Sequence, residues 1–445
     1  MKQTLRKAAT SLILIFFVAL AARLIFTWDQ SRKIPHEALA TIPFEQETGS
    51  IAHALVTGRG FANPFLKDTG PTAWLTPVYP FLVAATFKIF GLFTIQSFFF
   101  LVFFNSLCSA AVCIPLYRVG ERVAGIGVAS AAAWLWAIFP SAVMMPFEWI
   151  WDTSLAAFLA AALLLATLKL GDTGARSGDN SKADATWRAW ILYGLLWGFT
   201  LMTNPSLGSL LPFLLAWAAF RAERCAAKRA QLPSRLALAK PAAALALAIL
   251  CCIPWTIRNY TVFHRIVPLR SNFPLEFYIG NNENYAGTRA RWPPPITKER
   301  ETVRYFRMGE TAFMDEEMRK AKDFVRAHPG KEVILTWKRF IAFWAGIANP
   351  LDEFRGADPL VKVLMLCAGL TGIAALAGII VLIVRRSPYA FPLAIYPIVF
   401  PSIYYITHTS IRYRHPIDPI VLLLTAVALH PLVRKLSHSK EATVS

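Results

Sequence analysis

Long apolar segments recur along almost the whole chain, and most are close to the roughly 20 residues that an α-helix needs to cross the hydrocarbon layer of a bilayer. Of the 445 residues, 56% are hydrophobic and only 16% are charged, which is more apolar surface than a soluble core of this size needs. The pattern predicts an all-α polytopic membrane protein, with residues 1–445 forming a single integral membrane domain. The apolar segments lie near residues 8–26, 77–93, 97–117, 123–140, 153–170, 187–203, 207–220, 241–257, 360–384, 388–407 and 416–433.

The positions of Lys and Arg predict the orientation of these segments, because short basic loops favour the cytoplasmic side of a membrane. The densest basic loop, residues 221–240, is therefore placed in the cytoplasm, together with a polar, Gly- and Ser-rich linker at residues 171–186. The formal net charge of +19 has the same explanation, since the basic residues lie in short clusters between apolar segments. No nucleic-acid-binding motif accompanies them.

If residues 77–93 crossed the membrane, the basic N-terminus and the later basic loops would lie on opposite sides. The basic N-terminus is therefore cytoplasmic only if residues 77–93 do not cross. We therefore expect residues 77–93 to form an interfacial helix. The result is about ten transmembrane helices, both termini in the cytoplasm, and two large outer loops that contain interfacial helices. We name residues 27–96 the first large loop and residues 258–358 the second large loop.

The first large loop contains groups that a plain connection between two helices rarely combines. It carries the carboxylates Glu45 and Glu47, and Arg59 lies between two glycines. A partly desolvated carboxylate has a raised pKa and can act as a general base. An arginine flanked by glycines can approach a phosphate closely and bind it with two parallel N–H donors. The alternative for each residue is an ordinary solvated charge.

Two further stretches carry candidate substrate-binding groups. Glu148 and Asp152 precede the apolar segment at 153–170, where acidic residues also favour the start of a helix, so capping is the alternative. Asp152 is the better cap, and Glu148, which lies among tryptophans, is the better ligand candidate. The second large loop opens with the basic residue Arg258. Asn281 and Asn282 are candidates for binding sugar hydroxyls, although Asn and Gly are also typical of a plain turn.

The segment at residues 408–419, HTSIRYRHPIDP, is rich in basic residues on the predicted outer side, against the positive-inside rule. Arg412, Arg414 and His415 lie in it. An anionic ligand or a lipid phosphate at the outer interface explains basic residues in such a place, and simple anchoring to lipid headgroups is the alternative.

These motifs resemble those of the GT-C superfamily of membrane glycosyltransferases, particularly bacterial relatives of protein mannosyltransferases and of the aminoarabinose transferase that acts on lipid A. The resemblance rests on FEQETGSIA, GRGF and TGPTAWLTPVYP in the first large loop, PWTIRNY and GNN in the second, and RYRHPIDP near the end. It implies a GT-C-like fold and transfer of a sugar from a polyprenyl-phosphate donor to a lipid, glycan or protein acceptor. The transfer would take place on the outer, periplasmic face of the inner membrane.

The resemblance also implies roles for particular residues. An acidic residue of the first outer loop serves the attack on the anomeric carbon in this superfamily, and here it would be Glu47, with Glu45 as its rival. Many relatives carry an Asp, or an Asp-Asp or Asp-Glu pair, at this point. Arginines would hold the leaving phosphate: Arg412 and Arg414, with Arg59 and Arg258 as further candidates. The sequence has no strong metal-binding signature, so we expect neither a metal nor a cofactor.

Two other kinds of protein share some of these features. A transporter or lipid-carrier flippase also has many spans and scattered basic residues, but its transport path tends to place ionisable groups at mid-depth, and these spans contain few. A non-catalytic partner in the assembly of envelope polysaccharide is the third reading.

Overall fold

The computed structural model describes residues 10–65, 67–176, 183–227, 238–283, 299–346 and 356–442. Within these ranges the chain is helical and contains no β-strand, apart from an isolated bridge between Ala62 and Pro71. The predicted all-α architecture is confirmed. Parts of the predicted linker 171–186, of the basic loop 221–240 and of the second large loop fall outside the described residues.

The helices of the first half of the chain are α1 (Leu12–Ser31), α2 (His36–Thr41), α3 (Glu47–Val56), α4 (Val78–Phe90), α5 (Ile95–Ala111), α6 (Cys113–Ala124), α7 (Ile126–Ile138), α8 (Pro140–Glu148), α9 (Thr153–Arg176) and α10 (Ala183–Thr203). Those of the second half are α11 (Leu211–Ala227), α12 (Ala239–Phe263), α13 (Phe273–Gly280), α14 (Glu299–Met308), α15 (Glu310–Ala327), α16 (Pro329–Ala345), α17 (Pro359–Val384), α18 (Ala390–Val399), α19 (Ser402–Ile406), α20 (Ile411–Arg414) and α21 (Asp418–Ala442). Short 3₁₀-helices cover Ile42–Phe44, Pro205–Leu210 and His415–Ile417.

Five helices among the described residues are long and apolar enough to cross a membrane. They are α1, the stretch Ile95–Ala124 that joins α5 to α6, residues 153–172 of α9, α12 and α17. A sixth is added if α7 and α8, which are bent by 43° relative to each other, form one span. The bend lies at Pro140, which can begin a helix but cannot continue the one before it. The chain is a multi-pass membrane protein, and the total of about ten spans stays a prediction.

Helix α4, which covers most of the predicted interfacial segment 77–93, is 13 residues long. A helix of that length measures about 20 Å, whereas the hydrocarbon layer is about 30 Å thick. One face of α4 is buried against the 3₁₀-turn before α3, where the rings of Phe87 and Phe44 lie 5.0 Å apart. That residues 77–93 lie at the interface stays a prediction.

Helix α3 begins directly after this 3₁₀-turn, and a close backbone contact fixes its position. A Cβ atom built on Gly49 would lie only 2.2 Å from the carbonyl oxygen of Phe44, so only glycine allows α3 to pack this closely. The same packing turns the Glu47 side chain inward, whereas Glu45 remains exposed.

The two large loops share one hydrophobic cluster. Ile51 and Trp74 of the first large loop pack with Leu275 and Phe313 of the second, and with Trp255 at the end of α12. The separate cluster that holds the long helices together is formed mainly by residues of α6 to α9 and α21. The loops therefore form a packed layer of their own, and this layer supplies much of the candidate site.

Candidate active site

A cleft lies where four stretches of the chain meet: the first large loop, the turns that flank α9 and α10, the second large loop, and residues 403–416. About 860 Å³ within it, including the part that is open to solvent, contains no protein atom. Its charged and polar side chains are Glu47, Asp152, Thr153, Asn204, Ser206, Arg270, Asn272, Glu276, Thr407, His408 and Arg412. Its aromatic side chains are Trp74, Trp151, Phe273, Tyr404 and Tyr413.

Glu47 is the buried carboxylate of the first large loop, with only 8% of the residue exposed. Burial raises the pKa of Glu47 from 4.5 to about 7, because the ionised form loses its hydration. A hydrogen bond from the Trp74 side chain and the charge of Arg412 act in the opposite direction without offsetting burial. A carboxylate with a pKa close to neutral can both accept and release a proton at physiological pH.

Asp152 is a second buried carboxylate in the cleft. Burial raises the pKa of Asp152 from 3.8 to about 6. Its Oδ2 atom accepts a hydrogen bond of 3.0 Å from the side-chain amide of Asn204, and the charges of Arg270 and Arg412 also favour its ionised form. These three partners oppose the effect of burial on the pKa of Asp152.

The guanidinium group of Arg412 is held among aromatic rings. Its central carbon lies 4.4 Å and 4.9 Å from the ring centres of Trp149 and Trp151, and 5.3 Å from that of Tyr413. Contacts of this kind stabilise a cation without using all of its N–H donors. The charge of Arg412 acts on Glu47 and Asp152. The cleft thus combines buried carboxylates with a preorganised cation.

The cleft also contains a chain of hydrogen-bonding groups. Glu276 lies 3.1 Å from Nδ1 of His408 and accepts a 2.9 Å hydrogen bond from the side-chain amide of Asn272. On the other side of the ring, Nε2 of His408 lies 3.1 Å from the Tyr413 hydroxyl. Burial lowers the pKa of His408, and the charge of Glu276 opposes that effect.

His408, Glu276, Arg270 and Trp74 also line the cleft, although none of them is among the predicted site residues. Arg270 and His408 lie in the predicted outer segments, and Trp74 lies in the rigid Gly-Pro-Thr-Ala-Trp stretch, so their positions offered a signal. The sequence alone contains no spacing that joins them.

Arg414 was expected to bind the leaving phosphate, but the structure gives this side chain other partners. Its Nε atom lies 2.6 Å from Asp418, and Nη1 donates to the carbonyl oxygens of Trp344 and Ala368 at 3.1 Å and 2.7 Å. Only 3% of Arg414 is exposed. Its donors hold α16, α17 and α21 together, because all of them turn inward, away from the cleft.

His415 is fully buried, and its ring lies 5.3 Å from that of Trp136 in α7. It is not part of the cleft lining. The neighbouring residues 412, 414 and 415 therefore point to three different environments, which is expected where a short helix leads into a 3₁₀-turn.

The candidates in the second large loop also bind the backbone. Arg258 donates to the carbonyl oxygens of Thr72 at 2.6 Å and Phe61 at 2.7 Å. The side-chain amide of Asn281 donates to two carbonyl oxygens, and its oxygen accepts a hydrogen bond from Arg339. The side-chain amide of Asn282 donates to carbonyl oxygens of α13, the helix that precedes it. These contacts stabilise the loop and place none of the three side chains in the cleft lining.

Glu45, Arg59 and Glu148 are exposed and lie outside the cleft lining. Arg59 is 3.6 Å from Asp68, and both side chains are more than half exposed, so this ion pair contributes little to stability. Of the predicted site residues, the cleft brings together Glu47, Asp152 and Arg412.

Metal ligands are the remaining kind of group that such a cleft could contain. Across the described ranges, no group of three or more His, Cys, Asp and Glu side chains is arranged to hold a metal ion.

Comparison with known proteins identifies the architecture. No protein-family model and no curated protein matches the chain. Its structure is similar to that of the Archaeoglobus fulgidus oligosaccharyltransferase in complex with Zn and sulfate, with a TM-score of 0.53 and 15% identity, over 96% of this chain and 49% of that one. The chain shares its fold with this part of the archaeal enzyme.

Two more structures of the archaeal enzyme agree with this assignment. The apo form gives a TM-score of 0.52 at 14% identity, covering 98% of this chain and 52% of that one. The enzyme named AglB, in complex with an inhibitory peptide and a dolichol-phosphate, gives 0.52 at 14% identity, with coverage of 97% and 51%. The chain thus spans about half the length of these structures, and at this identity the likeness shows the fold alone.

Proposed function

We propose that this protein is a glycosyltransferase that moves a sugar from a polyprenyl-phosphate donor to an acceptor. The observation that supports the proposal most directly is the meeting of buried Glu47 with Arg412 in one cleft. A general base and a fixed cation are the two groups that transfer from a sugar phosphate requires when the leaving group is a lipid phosphate.

The proposed reaction uses these groups in a single displacement. Glu47 accepts the proton of an acceptor hydroxyl while the acceptor oxygen forms a bond to the anomeric carbon. The bond between the anomeric carbon and the phosphate oxygen breaks, and its electron pair remains on the phosphate. Arg412 and Arg270 stabilise the negative charge that develops there, and Asp152 accepts hydrogen bonds from sugar hydroxyls.

The fold supports the lipid-linked donor. The archaeal neighbour is an oligosaccharyltransferase whose structure has been determined in complex with a dolichol-phosphate. The same kind of donor is proposed here. The sugar and the acceptor, whether lipid, glycan or protein, depend on the shape of the cleft.

We further propose the finer topology that the sequence predicts. About ten spans cross the inner membrane, residues 77–93 lie at the interface, both termini are cytoplasmic, and the cleft opens to the periplasm. Single cysteines introduced at residues 171–186 and in the first large loop should then react with a membrane-impermeant maleimide from opposite sides. Labelling of both positions from the same side would contradict this topology.

The function is tested with purified protein in lipid and a panel of polyprenyl-phosphate sugars, by following release of free polyprenyl phosphate. We expect release by the wild type and by Glu45→Gln, because Glu45 is exposed outside the cleft, and none by Glu47→Gln. Equal release by Glu47→Gln would remove Glu47 from the mechanism. No release with any donor, together with movement of the intact lipid across the bilayer, would favour a flippase.

A further inference from the structure

One buried carboxylate outside the cleft, that of Glu310, joins the two large loops. Glu310 is the first residue of α15, and 4% of it is exposed. Its Oε1 atom accepts hydrogen bonds from the backbone N–H of Ala73 at 2.8 Å and from the Ser271 hydroxyl at 2.6 Å. Its Oε2 atom accepts from the Tyr305 hydroxyl at 2.6 Å and from the Thr72 hydroxyl. These donors match the roughly four acceptor positions of a carboxylate.

The donors lie next to residues of the cleft wall. Trp74 follows Ala73 in the chain, Arg270 precedes Ser271, and both Trp74 and Arg270 line the cleft. The backbone N–H of Ser271 also donates to the carbonyl oxygen of Ala73 at 2.8 Å, so the two segments are paired beside the carboxylate. The Trp74 side chain in turn donates a hydrogen bond to Glu47.

A second charged group holds the same part of the first large loop from another direction. Arg258 donates to the carbonyl oxygen of Thr72 at 2.6 Å, and its charge interacts with that of Glu310. The segment 72–74 is thus bound through a carbonyl oxygen by a cation and through an N–H and a hydroxyl by an anion. Its backbone position is fixed by both.

We propose that Glu310 is a positioning residue of the cleft: its carboxylate fixes segment 72–74 against segment 270–272, and thereby places Trp74 beside Glu47 and holds Arg270 in the cleft wall. A buried charge is costly unless its hydrogen bonds are made, so this cluster favours one arrangement over its alternatives. The kinetic part of the inference rests on the proposed transferase function, and the structural part does not.

The chain offers a matched control on the same helix. Glu317 is as deeply buried as Glu310, at 2% exposure, but its charged partners are Arg304 and Lys320. Arg304 belongs to α14, and Lys320 belongs to α15. Removing the charge of Glu317 therefore disturbs the same helix without touching either segment of the cleft wall.

The first experiment measures hydrogen exchange of the full chain in lipid, without substrate. Glu310→Gln should increase the exchange rates in segments 61–76 and 265–276 by roughly tenfold or more, since a segment opens more readily when the hydrogen bonds that hold it are weakened. Glu317→Gln should raise them only in α14 and α15. Ser271→Ala, which removes a single donor, provides a milder form should Glu310→Gln fail to fold. Unchanged exchange at 61–76, or the same pattern in both glutamine variants, would overturn the proposal.

The second experiment measures transfer as a function of pH. Glu310→Gln should lower kcat/KM by roughly 10- to 100-fold, because misplacing catalytic groups by about 1 Å costs that much. The low-pH side of its pH–rate profile, the acid limb, should also move to higher pH, because the hydrogen bond from Trp74 that lowers the Glu47 pKa is loosened. Trp74→Phe should shift the acid limb in the same direction. A wild-type acid limb in Glu310→Gln would refute the positioning role. If the wild type releases no polyprenyl phosphate, the proposed function fails, and the exchange experiment still decides the role of Glu310.

Discussion

The side-chain amide of Asn204 donates a 3.0 Å hydrogen bond to the carboxylate of Asp152, and this bond joins the end of α10 to the start of α9 within the cleft. It stabilises the ionised form of Asp152, whose pKa burial raises to about 6. The strength of the bond therefore depends on pH in a way that can be measured.

Asn204→Ala should lower the free energy of unfolding by about 1–3 kcal/mol at pH 8, where Asp152 is ionised and loses a donor. At pH 5, Asp152 is mostly protonated in the folded protein, and the loss should be much smaller. Thermal unfolding at both pH values checks this. In an Asp152→Asn background the dependence on pH should vanish; if it persists, the two residues are not coupled.

Glu47→Gln should stabilise the protein at pH 8 by about 3 kcal/mol, although it abolishes transfer. The folded pKa of Glu47, about 7, lies above the ordinary value of 4.5, so the unfolded chain releases the proton first. Wild-type stability should therefore fall as pH rises from about 4.5 to about 7, and the variant should lack this fall. Equal melting temperatures for both proteins across this range would show that folding does not raise the pKa of Glu47.

Transfer by the wild type should increase with pH through the Glu47 pKa of about 7, because only the ionised carboxylate accepts a proton from the acceptor. The measurement is initial rate at saturating donor from pH 5 to 9. Glu45→Gln serves as the control and should give the same profile. A flat wild-type profile would indicate that no group of this pKa takes part.

Arg412→Gln and Arg414→Gln should differ sharply although they are two residues apart. Loss of Arg412 should weaken binding of polyprenyl phosphate and move the acid limb of transfer to higher pH, because its charge lowers the Glu47 pKa. Its fold should persist, with thermal unfolding close to that of the wild type.

Loss of Arg414 should instead cost about 3–5 kcal/mol of stability, since it leaves Asp418 buried without its partner. Binding of polyprenyl phosphate by the folded fraction of Arg414→Gln should stay close to the wild-type value. A stable Arg414→Gln protein with impaired lipid-phosphate binding would reverse these two assignments.

Much of the helical framework follows from the sequence because it depends on local composition. The predicted apolar segments 8–26, 153–170, 241–257 and 360–384 coincide with α1, α9, α12 and α17, since an apolar stretch of this length satisfies its backbone only as a helix in a membrane. The choice of Glu47 over its rival Glu45 rested on the family resemblance, and the structure buries Glu47 and leaves Glu45 exposed. Glu45 and Glu47 are only two residues apart at the start of α3, yet one side chain is exposed and the other is buried.

The sequence by itself determined the class of the protein, its helices and the loops that carry its polar groups, because these follow from composition and from spacing along a few turns. The tertiary structure decided which polar groups meet. Glu47, Asp152, Arg270 and His408 lie far apart in the chain, and they share a cleft because the packing of separate helices and loops brings them together. Packing also assigned neighbours in sequence to different tasks. Arg412 faces the cleft, whereas Arg414 neutralises a buried carboxylate between helices. Side chains two residues apart on a helix point in different directions.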